Sequence, residues 1–325
     1  MLTCPSAPDL SVNFTYINLM ITEKRFVPYQ AVPALFIGAT AIGLAPIFVR
    51  LSELGPEATA FHRLFLSIPF LAMWYGFERR APGARTRPLD RSVWKWLLAA
   101  GLFFAADLAV WHWSIKITSV ANATLLGNLA PVFVVIAGWA LFGERFRTAF
   151  LISMTVALSG ALVLMGNSLS LSHTRVAGDL LGVLTAVFYA GYLISVARLR
   201  AGVTTATVMF WSAAVSSVAL LSVALFFGEN LIPATANGWA VLVALAVVSH
   251  VGGQGLIAYA LAHLSAAFGS VGLLWQPVAA ALFAWMILRE PLGSWQAVGG
   301  VIVLVGIYLA RRANFYHGAV QEKIA

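Results

Sequence analysis

The chain has 325 residues, 61% of them hydrophobic and 10% charged, with a mean hydropathy of +0.88. Soluble domains carry about 45 to 50% apolar and about 25% charged residues, so a soluble enzyme, a nucleic-acid binder and a disordered chain are excluded. The formal net charge of +8 sits in short segments between apolar blocks, and Cys4, the single cysteine, leaves no internal disulfide and no cysteine-based metal cluster.

In chain order, residues 1–30 are mixed in polarity and end in Glu23, Lys24 and Arg25, which reads as a tail rather than a secretory signal. Asn13-Phe14-Thr15 has the spelling of a glycosylation acceptor, but the tail is expected on the cytoplasmic side. Ten apolar blocks follow, at 31–50, 58–77, 93–114, 121–142, 147–165, 177–198, 204–227, 238–261, 266–288 and 294–310. A hydrocarbon core of about 30 Å takes roughly 20 helical residues to cross, and helices satisfy their own backbone polar groups, so each block predicts a transmembrane helix. The expected fold is an all-α integral membrane protein, with a linker at 166–176 and a C-terminal tail at 312–325.

Cytoplasmic loops retain Lys and Arg. With the N-terminus inside, the inner segments hold fifteen of the twenty and the outer segments four, with Arg63 inside a span. Both termini are therefore expected in the cytoplasm of a cell whose inner membrane holds the protein.

Of the charged side chains only Arg63, in the second span, and Asp107, in the third, lie well inside a predicted helix. Their depths from the outer face come to roughly 7 and 10 Å at about 1.5 Å per residue, close enough to meet. Two readings stand: an ion pair that locks two helices, or a functional pair in which Asp107 takes a substrate ammonium or a proton and Arg63 holds a carboxylate. Further along the third span, Trp111 and Ser114 share the face of Asp107. Asn128 with Thr124 in the fourth span, Tyr189 and Tyr192 in the sixth, His250 with Gln254 in the eighth, and Trp275 with Gln276 in the ninth complete a mid-depth set of polar and aromatic groups. His250 reads either as a packing histidine or as a pocket residue. Pro131 and Pro277 sit mid-span, where a missing N–H kinks a helix, and make candidate hinges or gates. Trp94, Trp96, Trp239 and Trp295 open spans and read as interfacial anchors. Gly160, Gly299, Gly300 and Gly306 offer surfaces for close helix contact, within one chain or in a weak homodimer.

A shift of 146 residues pairs Ser119 with Ser265, Pro131 with Pro277, Trp139 with Trp285, Glu144 with Glu290 and Gly160 with Gly306. The same shift carries residue 31 to 177, so the chain reads as two five-helix repeats, 31–165 and 177–311. Five is odd, so the second repeat enters the membrane upside down relative to the first, about a pseudo-two-fold axis in the membrane plane.

Phe61-His62-Arg63, the run Ser119-Val120-Ala121-Asn122-Ala123 with Pro131 and Glu144, and its counterpart Ser265-Ala266-Ala267 with Pro277 and Glu290 resemble the EamA family of the drug/metabolite transporter superfamily. The resemblance covers nearly all the chain after residue 30, and within the family it leans toward the YddG-type exporters of aromatic and other neutral amino acids. It implies ten helices, a central cavity shared by both repeats, peripheral fifth and tenth helices, and export of small metabolites.

The sequence thus points to a secondary transporter exporting small neutral or zwitterionic solutes by alternating access, with aromatic and other neutral amino acids as the leading substrates. Its expected binding set is Asp107, Trp111, Asn128, Tyr189, His250, Gln254, Trp275 and Gln276, with no cofactor, no metal and lipid as its surroundings. A multidrug or cation exporter of the same fold is the nearer alternative, and a membrane-embedded enzyme or a channel the more distant one. Phosphate-loop, zinc-pair and nucleophile-turn motifs are missing from the sequence, which argues against an enzyme.

Overall fold

The computed structural model describes residues 30–80, 89–117, 120–165, 176–289 and 293–321, which are helices and short connectors, with no strand among the described residues. Ser119 and Glu290, the 1–29 tail with Cys4 and Asn13, most of the linker and the last four residues lie outside them.

The first span is α1 (Ala31–Gly43) and α2 (Ala45–Leu51), the second α3 (Pro56–Phe65) and α4 (Ile68–Arg80), the third α5 (Arg91–Ile117). The fourth is α6 (Val120–Gly127) and α7 (Ala130–Phe142), the fifth α8 (Thr148–Met165), the sixth α9 (Val176–Arg200) and the seventh α10 (Thr205–Phe226). The eighth joins α11 (Ala236–Ala244), a π-helix (Leu245–Gln254) and α12 (Gly255–Ala260). The ninth is α13 (Ala266–Gly272) and α14 (Trp275–Leu288), and α15 (Ser294–Gln321) is the tenth. Among the described residues nine of these spans are long and apolar enough to cross a membrane. The second, expected as one helix over 58–77, is instead two shorter ones. Pro69 brings no N–H and its ring collides with the carbonyl four residues back, so the chain turns at Leu66 and Ser67 before α4 begins.

The same chemistry breaks other spans. Pro46 opens α2, Pro131 opens α7 and Pro277 sits in the first turn of α14. A proline is tolerated at the start of a helix, because the first amides have no intrahelical acceptor, and so each proline marks where a second helix begins inside one span. The matched kinks expected at Pro131 and Pro277 are these breaks.

Packing repeats across the two halves. The third span lies along the sixth and the first along the eighth, while the second packs on the seventh, the fourth on the ninth and the fifth on the tenth. Exchanging the halves turns the first two contacts into one another and leaves the other three unchanged, as a two-fold relation requires. Ties at the helix ends fix the faces. Glu53, between the first two spans, accepts the amides of Ala234 and Thr235 at 2.9 and 3.1 Å, so it shares a face with the loop between the seventh and eighth. Glu78, in the last turn of α4, accepts the Ala206 amide at 3.0 Å, joining the opposite face to the start of the seventh. The 146-residue shift carries the Glu53 loop onto the loop before the seventh span, on the other face, and the repeats are therefore inverted.

The fifth and tenth spans meet through glycine. An added Cβ would stand 2.5 Å from Val303 N at Gly160, 2.3 Å from Leu164 N at Gly299 and 2.4 Å from Ala157 N at Gly306. Backbones approach this closely only without side chains between them. These glycines are spent on the contact between repeats inside one chain rather than on a second copy.

Candidate functional site

Between the spans lies a cavity of about 150 Å³ walled by the first, second, third, fourth, sixth, eighth and ninth, with no contribution from the fifth or tenth among the described residues. Its walls run from mid-depth toward the face that carries Glu53. The helix breaks bring polar groups here. Arg63 lies two residues before the end of α3, Asn128 occupies the gap between α6 and α7, and Gln276 is the second residue of α14. Asn128 is fixed at its break by donating its side-chain amide to the Thr124 carbonyl at 2.8 Å.

Arg63 and Asp107 are the formally charged side chains of the wall, 7% and 8% exposed. They are near enough for each charge to act on the other, yet no ion pair within 4.0 Å joins them. The Arg63 guanidinium lies 5.8 Å from the Phe104 ring centroid. Phe104 stacks on Tyr192 at 4.6 Å and on His250 at 5.6 Å, and Tyr192 continues to Tyr189 at 6.0 Å. The Tyr189 hydroxyl lies beside the side-chain amides of Gln254 and Gln276. Several buried polar atoms here have no hydrogen-bond partner among the described residues: Nε of Arg63, Oε1 of Gln254, Nε2 of Gln276 and both ring nitrogens of His250. Buried polar groups are nearly always satisfied, so the atoms of this set that line the cavity are open to polar partners from outside the chain.

Six of the eight expected binding residues line this cavity: Asp107, Trp111, Asn128, Tyr189, Gln254 and Gln276. His250 and Trp275 stand outside the lining. His250 is 1% exposed and packs behind Phe104. Gln254, one turn further along the same π-helix, lines the cavity, so the two are divided between wall and packing although they stand a turn apart. Trp275 donates its indole N–H to the Thr40 hydroxyl at 2.8 Å and meets Phe36 edge-on, which ties the ninth span to the first. Pro277 lines the cavity and Pro131 does not.

Thr59, Phe104, His112 and Thr185 also line the cavity and were not in the expected set. Three of them carried a signal. Thr59 lies one turn before Arg63, Phe104 one turn before Asp107 and Thr185 one turn before Tyr189, so extending each recognised face by three or four residues would have found them.

On the opposite face a second cavity of about 300 Å³ opens between the fourth and sixth spans and the junction of the eighth and ninth. Glu144 and Arg198, both partly exposed, face each other there at 3.8 Å, and the Arg198 guanidinium lies 3.7 Å from the Phe142 ring centroid. Glu144 follows Gly143, whose left-handed φ of 66° ends α7 and lets the Glu144 amide reach back to the Gly138 carbonyl at 2.9 Å.

An inverted pair of five-helix units around a shared polar cavity is the architecture of a membrane transporter. The chain belongs to the EamA-like transporter family, which matches it twice, over residues 30–166 and 176–312. A pseudopaline exporter of Pseudomonas aeruginosa is 29% identical over 70% of this chain and 78% of its own length. A probable terminal-alkyne amino-acid exporter of Streptantibioticus cattleyicolor is 27% identical over 87% of this chain and 89% of its own. An uncharacterized transporter of Archaeoglobus fulgidus is 26% identical over 86% and 95%. A solved crystal structure superposes with a TM-score of 0.72 at 19% identity, covering 88% of this chain and 98% of that one, and shows the shared fold.

Proposed function

We propose that the protein is a secondary exporter of small neutral or zwitterionic metabolites, aromatic and other neutral amino acids first among them. It lies in the cell's inner membrane with both termini in the cytoplasm and performs no catalysis. The observation that carries this reading is the pair of opposite charges set apart in one buried cavity. A guanidinium such as that of Arg63 binds a carboxylate, and a carboxylate such as Asp107 binds an ammonium, each worth most where water is scarce. Aromatic and apolar walls, with Trp111, Tyr189 and Phe104 among them, suit a side chain between those poles. Two relatives are named as exporters, and one of them, a probable terminal-alkyne amino-acid exporter, agrees with this class of solute.

In this reading the two repeats rock about the central site. The central cavity reaches toward the Glu53 face and the second cavity opens on the other, so each face has its own vestibule. Purified protein in liposomes loaded with unlabelled phenylalanine is expected to accelerate entry of labelled neutral amino acids. Equal entry into loaded and empty vesicles would remove the carrier reading.

A further inference from the structure

The formal charges that line the central cavity, one of each sign, balance. Arg63 and Asp107 bring formal charges of opposite sign, and the other lining side chains are apolar or polar without formal charge, apart from the titratable His112, with His250 behind the wall. A charge enclosed away from water costs several kcal/mol unless it is paired. Arg63 and Asp107 offset one another only at a distance, since no ion pair within 4.0 Å closes the two, and the Arg63 Nε has no hydrogen-bond partner among the described residues.

We infer that the carrier moves zwitterions electroneutrally, without a coupling ion. The inference rests on the amino-acid reading above and goes beyond it to the driving force. A zwitterion gives each buried charge its direct partner and adds no net charge, so the empty and the loaded cavity both cross the membrane field as neutral bodies. A monocation pairs Asp107 but leaves Arg63 uncompensated. A monoanion does the reverse. A proton on Asp107 has the same fault as a monocation, because it abolishes the carboxylate that offsets Arg63. Coupling to protons would therefore raise the cost of the moving state, and the transported amino acid runs down its own gradient.

The test uses the full-length protein in liposomes with labelled phenylalanine. Initial entry and final accumulation are measured with an imposed potassium diffusion potential of either sign, with a pH gradient of either sign, and with neither. One net charge moved across about 100 mV is worth about 50-fold in accumulation, so coupling would be plain. The expected result is entry and accumulation unchanged within about twofold, the scatter that leaves no charge to move. Accumulation that follows the potential or the pH gradient, by way of Asp107, His112 or His250, overturns the inference and leaves the amino-acid reading standing. Failure of every zwitterion to show trans-stimulation overturns both.

Two variants read the charge balance directly. Asp107→Asn leaves Arg63 alone, and its preference is expected to swing from phenylalanine to 3-phenylpropionate, the same molecule without its ammonium. Arg63→Gln leaves Asp107 alone and is expected to favour phenethylamine, the molecule without its carboxylate. Each swing should reach at least about tenfold, the change expected when one partner of a desolvated charge contact is removed. Each variant should also become sensitive to membrane potential. Should either fold poorly, the other and the wild-type gradient series still decide. Asp107→Asn that prefers phenylalanine as the wild type does overturns the inference.

Discussion

The carboxylate of Glu229 lies against Gly55 of the other repeat: a Cβ at Gly55 would stand 2.4 Å from the Glu229 carboxyl carbon. From there Glu229 accepts the Ala58 amide at 2.8 Å, capping the first turn of α3. Glu53 returns the relation, accepting the Ala234 and Thr235 amides and the Thr235 hydroxyl at the start of α11, over Gly238. Each loop thus supplies a carboxylate to the helix that the other loop leads into. A negative charge at a helix N-terminus meets amides without intrahelical partners and the positive end of the dipole. Gly55→Ala is expected to push Glu229 off the α3 terminus, a loss of about 1 kcal/mol for a deleted cap. A lowered melting temperature in detergent, shared by Glu229→Ala and not increased in the double variant, checks this. An additive loss in the double variant would show that the glycine and the carboxylate act separately.

The Glu53 half of this clasp is pH-dependent. The Thr235 hydroxyl bond first, and the Thr235 and Ala234 amide bonds after it, hold the Glu53 carboxyl below its ordinary 4.5, while burial works the other way. A depressed folded value means the contribution is complete above about 4.5 and disappears as pH falls through the lower folded value. Glu53→Gln is therefore expected to melt below the wild type at pH 7 and at pH 5, with the gap closing under more acid conditions. Melting curves across that range check it, and a gap that persists into acid would place its origin elsewhere than in the carboxylate charge.

The seam between the fifth and tenth spans tolerates no side chain at Gly299, where an added Cβ would meet the Leu164 backbone. Overpacking a close helix contact costs about 1–3 kcal/mol. Gly299→Leu is expected to lower folded yield and melting temperature, while the fraction that folds keeps wild-type KM, because neither span lines the central cavity. A changed KM would mean that this seam moves during transport.

What the sequence disclosed follows from what lipid does and does not select. Span positions were legible because twenty apolar residues in a row have few uses outside a membrane. The inverted repeat was legible because Pro131 and Pro277, Trp139 and Trp285, and Gly160 and Gly306 keep one spacing. Arg63 and Asp107 were legible as residues of a polar interior because a charge inside a span needs a reason, and both line the cavity. Rotation about each helix axis was not. Core and lipid are both apolar, so the pattern that tells the inner face of a soluble helix from the outer one is nearly absent, and Trp275 could be placed at mid-depth without showing that it faces Thr40 rather than the cavity. For the same reason Gln254 and His250, one turn apart in the eighth span, gave no sign that the first lines the cavity and the second packs behind Phe104. The break at Leu66–Ser67 was within reach: Pro69 was in plain sight, and an apolar run counted by length alone passes over it.

That difference between facing the cavity and standing behind it sets the last expectation. Tyr189 and Trp275 are both mid-depth aromatics, but the Tyr189 hydroxyl lies in the cavity wall beside Gln254 and Gln276, while the Trp275 indole N–H is already committed to Thr40 at 2.8 Å. Tyr189→Phe removes a polar group from the wall with little change in packing, and Gln254→Ala removes one whose Oε1 has no partner among the described residues. Both are expected to raise KM for phenylalanine counterflow by about fivefold to tenfold, the size of one lost hydrogen bond, with melting temperatures near wild type. Trp275→Phe should do the opposite: it breaks the bond between the ninth and first spans at about 1 kcal/mol, lowers the melting temperature and leaves KM unchanged. Counterflow kinetics and thermal unfolding on the same preparations separate the two patterns. A raised KM at normal stability in Trp275→Phe would put the indole in the substrate's path after all, in a state where the first and ninth spans have parted.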